Sequence, residues 1–146
     1  MPRAIEQVVT NYIHAGKQLS EETSSMLLTA GRIGTFEGKG SLDFGGSEYS
    51  AAPVSWLQPV KGSAEDKHGW WRLQPGSYLL ELNESLQLHS GETAVLQVWE
   101  EVVRAGASHP TQLIRSSRET PATVLQVAAP GIDIKENARI SRVYLL

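Results

Sequence analysis

Gly69-Trp70-Trp71-Arg72-Leu73-Gln74-Pro75-Gly76-Ser77-Tyr78-Leu79-Leu80 is the stretch on which the fold turns. Trp70 to Leu73 is a short run of aromatic and apolar residues, and Tyr78 to Leu82 is another. Between them Gln74-Pro75-Gly76-Ser77 cannot continue a helix. Proline fixes φ and removes a donor, while glycine reaches backbone angles that other residues avoid. The stretch therefore reads as strand, turn, strand.

Working outward, the same punctuation recurs. Ser85-Leu86-Gln87-Leu88 alternates, and His89-Ser90-Gly91 turns the chain. Thr93 to Trp99 reads as a buried strand. Ala122 to Ala128 and Arg139 to Leu145 are two more, separated by Pro130-Gly131 and a short alternating run, Ile132 to Lys135. Upstream, Val54-Ser55-Trp56-Leu57 lies between Pro53 and Pro59, which suits an edge strand. Lys61 to Gly69 is a polar loop. Glycines at 31, 34, 38, 40, 45 and 46 exclude a helix of ordinary length there. Many short strands at this spacing predict a mainly β protein, a sandwich or a barrel.

Only the N-terminal third carries helical periodicity. Ile5, Val8, Val9, Tyr12 and Ile13 lie on one stripe between Arg3 and Lys17, with Gly16 placed to end it. A second helix is expected after Ser20, opened by Glu21 and Glu22, burying Met26, Leu27 and Ala30, and stopped by Gly31. The expected organisation is a helical segment over 1–32 and a β-barrel over 33–146, one domain in all.

Composition sets the outer limits. The chain has 146 residues, 40% apolar and 20% charged, which is a globular average and one domain's length. Thirteen basic against sixteen acidic residues give a net charge of −3, without the basic runs that phosphate-neutralising nucleic-acid binders carry. There are no cysteines, hence no disulfides and no zinc–thiolate sites. No apolar stretch is long enough for a membrane helix, and no secretory leader is visible, so a cytoplasmic location is expected.

The order of segments resembles the dUTPase and dCTP deaminase superfamily, closest to dUTPase-like proteins with deaminase-like N-termini. The stretch from Trp70 is similar to the family's W-x-L-x-P-G-x-Y-L, followed by the N-E of Asn83-Glu84. Ser41-Leu42-Asp43-Phe44 resembles S-V-D-L, with Asp43 expected to accept local backbone hydrogen bonds. Asn137-Ala138-Arg139-Ile140-Ser141-Arg142-Val143 resembles the closing G-x-R-I-A-Q-L. The resemblance runs from about Ile33 to the C-terminus. It implies a β-clip fold, a distorted jelly-roll barrel, assembled as a homotrimer with clefts between subunits.

The residues that would do the family's chemistry differ. Its phosphate motif R-S-S-L-A-R-L-G falls on Trp99-Glu100-Glu101-Val102-Val103-Arg104-Ala105-Gly106, where Arg104 and Gly106 match. Trp99 stands for the phosphate-holding arginine, and Glu100 and Glu101 for the serines. Two carboxylates repel a triphosphate that an Arg fork and hydroxyls would hold. Along Thr111 to Thr120, Arg115 takes the position of the catalytic aspartate, and a guanidinium cannot deprotonate water. Gln126 takes the position of the deaminase glutamate. In the closing motif Arg142 replaces glutamine and Asn137 replaces glycine. The family's glycine-rich tail would follow the last strand, near which Leu146 falls.

Glu100 and Glu101 could hold Mg²⁺, but adjacent strand residues point to opposite faces, and solvated acids opening a short helix are the plainer reading. Arg104, Arg115, Arg118 and Arg142 could form an anion pocket or be surface charge. Arg115 could meet Glu100 or Glu101 of a neighbouring subunit. His14, His68, His89 and His109 lack metal-ligand spacing and are expected in solvent or loops. Ser116-Ser117 has no triad pattern around it. Of Trp70 and Trp71, alternation sends one to the core and the other to a surface.

The leading expectation is a catalytically inactive homologue that keeps the trimeric scaffold. It leaves room for a nucleotide or other small anion near Trp99, Glu100, Glu101, Arg104, Arg115, Gln126 and Arg142. It carries no catalytic residue, resident metal or cofactor, and no nucleic-acid or membrane partner. One alternative is a divergent, Mg-dependent deoxynucleoside triphosphate hydrolase or deaminase using Glu101 or Glu119. A third is a β-sandwich binding sugar or protein through Trp56, Trp70 and Trp71.

Overall fold

The computed structural model describes residues 3–146. Its N-terminal part contains α1 (Ile5–Val8), β1 (Val9–Thr10), α2 (Ala15–Gln18), β2 (Leu19–Ser20) and β3 (Ser25–Phe36). Then come β4 (Val54–Trp56), β5 (Trp70–Leu73), β6 (Gly76–Leu82), β7 (Ser85–Leu86) and β8 (Ala94–Val98). The C-terminal part holds α3 (Glu100–Ala105), β9 (Ala107–Ser108), β10 (Gln112–Ile114), β11 (Ala122–Val127), β12 (Ile132–Lys135) and β13 (Arg139–Leu145). All pairings between strands are antiparallel among the described residues, and the principal sheet runs β10-β8-β13-β3-β6-β11-β9. α3 connects β8, near one end of that order, to β9 at the other. The result is mainly β, as the strand pattern predicts, and curls into the distorted jelly-roll barrel that the resemblance implies. No helix among the described residues is long and apolar enough to cross a membrane.

β3 is the spine. Residues Ser25 to Ala30 are buried on both faces, which a strand between layers achieves and a surface helix does not. Its N-terminal half pairs with β13, and its C-terminal half pairs with β6 and β4. The register shifts between Ala30 and Arg32, at Gly31, where an added Cβ would lie 2.9 Å from Asn83 Oδ1 and 3.0 Å from the Glu81 carbonyl. A bulge at that glycine lets one strand serve both halves of the curled sheet.

This corrects the expected second helix. Ser20 Oγ does accept from the Thr23 amide, but it closes a single turn that ends with Ser24 at φ 51°. Met26 and Leu27 then enter β3, so the boundary expected at 32/33 lies inside a strand. The first helix is also shorter than expected. Ile5, Val8 and Val9 are buried as their stripe predicts, but the helix stops at Val8 and Val9 pairs with Leu86. Asn11 takes φ 65°, and Tyr12 and Ile13 end up exposed. The amides of Ile13 and His14 both donate to Gln18 Oε1 at 2.8 Å instead of to a helical carbonyl.

The Pro75-Gly76 turn is a corner, not a hairpin. β5 before it pairs with β12, whereas β6 after it pairs with β3 and β11. Trp71 is buried, with Nε1 donating to the Leu57 carbonyl at 3.0 Å, and Trp70 faces the other side half-buried.

Candidate functional site

α3 opens the region of interest. Trp99 caps it without a side-chain hydrogen bond, and Glu100 and Glu101 occupy its first turn, where negative charge suits the helix's positive end. Gly106 ends it at φ 111°, its amide donating to the carbonyls of Val102 and Val103. Glu100 pairs with Arg104 at 3.1 Å one turn on. The helix start thus carries two carboxylates of its own, next to the Trp99 ring.

The residues singled out by sequence divide into those the fold brings near α3 and those it does not. Trp99 and Glu101 line one cleft. Arg115 follows β10, whose Ile114 faces Ala94, so it sits at the far end of β8 from Trp99. Five or six strand residues separate them within one chain, roughly 20 Å. Arg142 faces Gln97 and Leu27 and donates to Ser25 Oγ at 2.6 Å. Gln126 is exposed on β11 and accepts from Ser77 Oγ at 2.7 Å. Arg118 folds back onto the Ser116 carbonyl at 3.2 Å. The four arginines Arg104, Arg115, Arg118 and Arg142 therefore share no cleft among the described residues. Nor do the tryptophans form one platform, since Trp71 is in the core and Trp56 lies under Arg32, 3.7 Å from ring centre to guanidinium carbon.

What the fold does assemble is a pair of contiguous clefts around Trp99. The first, of about 220 Å³, lies between α3 and the β5–β12 ribbon, with Trp70, Trp99, Val102, Ile132, Ile134 and Ile140 in its walls. The second is an open groove of about 830 Å³ between residues 13–18 and the β12–β13 turn. Trp99, Lys135, Ala138 and Arg139 line both. Arg139 stacks over Trp99 at 4.8 Å, and Arg72 and Lys135 approach Trp70 at 5.0 and 5.6 Å. Arg72 also pairs with Asp133 across the ribbon at 2.9 Å. Lys17, Lys135 and Arg139 were not singled out by sequence reasoning as site residues. Lys17 and Arg139 are 122 positions apart, and no local spacing signals their meeting.

Other polar groups are structural. Asp43 accepts from the Gly46 and Glu48 amides at 3.1 and 3.0 Å, as expected of it. His109, expected in solvent or a loop, lies in the loop after β9 but is buried, its Nε2 2.7 Å from Ser141 Oγ and Nδ1 2.9 Å from the Pro110 carbonyl. Burial pushes its pKa below the ordinary 6.5. Glu92 is held down to about 2, first by its hydrogen bonds from Arg3 and then by the His89 amide. Among the described residues no three His, Asp or Glu side chains converge as metal ligands.

No family model matches the chain. It is 28% identical over 124 residues to a probable deoxyuridine 5'-triphosphate nucleotidohydrolase of Methanosarcina mazei, covering 84% of this chain and 69% of that one. Its fold matches that of the 2'-deoxycytidine 5'-triphosphate deaminase of Agrobacterium tumefaciens with a TM-score of 0.60 and 12% identity. That match covers 97% of this chain, which spans 42% of the deaminase chain's length. The curled barrel, the Pro-Gly corner and the closing strand give the chain the same β-clip fold as that deaminase. In sequence the chain is similar to a dUTPase-like relative and in fold to a dCTP deaminase, and both likenesses support the dUTPase/dCTP deaminase superfamily.

Proposed function

We propose that the protein is a catalytically inactive, cytoplasmic member of this superfamily that keeps a homotrimeric scaffold and binds a nucleotide-like ligand beside α3. The observation that carries the reading is charge. Carboxylates occupy the first turn of α3 where the family's phosphate donors would stand, and an exposed arginine, Arg115, occupies the position of the water-activating aspartate. Gln126, in place of the deaminase glutamate, is engaged with Ser77 and has no proton to shuttle near neutral pH. Support for a retained ligand comes from the apolar cleft next to Trp99 and the cations around it.

The test is a thermal-shift panel of deoxynucleoside mono-, di- and triphosphates with and without Mg²⁺, followed by turnover assays on dUTP and dCTP. A ligand at 100 times its Kd stabilises by about 2.7 kcal/mol, a shift of several degrees for a chain this size. The expected result is a shift with a nucleotide and no product. Turnover that Glu101→Ala or Glu119→Ala abolishes overturns the inactive reading and favours a divergent hydrolase. A flat panel overturns the ligand pocket.

A further inference from the structure

We propose that the open groove between residues 13–18 and the β12–β13 turn is an anion site for a phosphate-bearing aromatic molecule. Its charged end lies on Lys17, Lys135 and Arg139, and its ring enters the adjoining cleft between Trp70 and Trp99. The proposal rests on the ligand-pocket part of the preceding reading, not on its catalytic part.

Charge distribution is the first argument. The chain carries a net −3, and its ion pairs tie up Arg3, Arg32, Arg72 and Arg104. Lys17, Lys135 and Arg139 line one groove, and none of them has a carboxylate within ion-pair distance among the described residues. His14 lines it too, and no lining residue is acidic. Cations gathered in one concavity repel one another, and a bound anion relieves that repulsion. The carboxylates lie on the other side of Trp99: Glu101 and Asp133 line the apolar cleft only, Asp133 paired with Arg72. The phosphate-repelling and phosphate-attracting sides are thus separated by one ring.

Preorganisation is the second. Arg139 Nη1 donates to the Lys17 carbonyl at 3.1 Å while the guanidinium stacks on Trp99. One N–H is used, so further donors of the fork are available for phosphate oxygens. Residues 13–18 are themselves pinned, because Gln18 binds the Ile13 and His14 amides through Oε1 and buried Glu84 through Nε2 at 2.8 Å. A cation held in place before binding loses little freedom on binding.

Contiguity is the third. The groove and the apolar cleft share Trp99, Lys135, Ala138 and Arg139, so one ligand can occupy both. An apolar slot walled by two indoles takes a flat ring, and the basic groove takes its phosphates.

The experiment titrates dUTP, inorganic tripolyphosphate and deoxyuridine into the full chain by calorimetry, at low and high salt. The expected order is dUTP tighter than tripolyphosphate and both tighter than deoxyuridine, with the two anions weakened by salt. Lys17→Glu with Lys135→Glu weakens both anions, roughly tenfold per reversed charge. The Lys17→Gln and Lys135→Gln pair does so to a lesser degree, and Lys39→Glu, outside both clefts, changes nothing. Trp99→Ala weakens dUTP but not tripolyphosphate. Binding that survives both lysine pairs, or falls equally with Lys39→Glu, overturns this site and leaves the ligand-pocket reading standing. Wild-type protein that binds neither dUTP nor tripolyphosphate overturns both.

Discussion

Glu84 has no solvent exposure, and three donors converge on its carboxylate: the Thr29 amide at 2.8 Å, Thr29 Oγ1 at 2.6 Å and Gln18 Nε2 at 2.8 Å. Glu84→Gln puts an NH₂ against one of those donors and should cost about 2–3 kcal/mol, read as a lower urea midpoint. Because Gln18 is one of the three, amide exchange over residues 13–18 should accelerate more than over β8. His109 gives a second prediction. Its folded-state pKa lies below 6.5, so below that pH the unfolded chain binds the proton that the folded chain refuses. Stability should be complete above pH 6.5 and fall as the pH drops through that value, and His109→Gln should flatten the slope between pH 7 and 5. Glu92, depressed to about 2, acts in a separate window, losing its contribution as pH falls from 4.5 towards 2. The sequence showed some of these residues well. Asp43 and the acids of α3 were readable because their partners lie within five residues. His109 was not, because its partner Ser141 is 32 residues away on another strand.

Among the elements, the β5–β12 ribbon is the one whose integrity shapes the apolar cleft. Gly131 enters it at φ 121°, and a Cβ there would strike the Leu73 carbonyl oxygen. Gly131→Ala combines a left-handed backbone with a backbone clash and should destabilise by about 2–3 kcal/mol, measured by thermal denaturation. Tryptophan emission should change with it, since Ile132 faces Leu73 and Lys135 faces Trp70 in the ribbon's register. Elements set by local pattern were legible. The edge strand at 54–56, the turn at Pro75-Gly76 and the short helix opened by Glu100 and Glu101 each follow from proline, glycine or charge nearby. β3 was not, since Glu21, Glu22, Met26 and Leu27 fit a helix in isolation. Its sheet partners lie 45 to 52 residues downstream in β6 and 110 to 117 downstream in β13. Burial on both faces overrode local propensity.

On the scale of the whole molecule, the proposed homotrimer predicts a mass in solution three times the 16.0 kDa chain, and light scattering on the purified protein decides it. Arg115 lies too far from Glu100 and Glu101 to pair within one chain. If assembly brings them together across subunits, Arg115→Glu should weaken the trimer and a Glu100→Arg/Glu101→Arg partner change should restore it. A particle of 16.0 kDa, or a trimer indifferent to Arg115→Glu, overturns that contact. By itself the sequence determined the class: short strands, a Pro-Gly turn, an acid-opened helix and a segment order resembling the family's. These depend on neighbours in the chain, whose backbone preferences act before any fold exists. Only the tertiary structure decided that β3 is a spine, that His109 is buried, and that Lys17, Lys135 and Arg139 meet beside Trp99. Those outcomes depend on contacts between residues 30 to 120 positions apart, and no local preference encodes which distant strand will close over which.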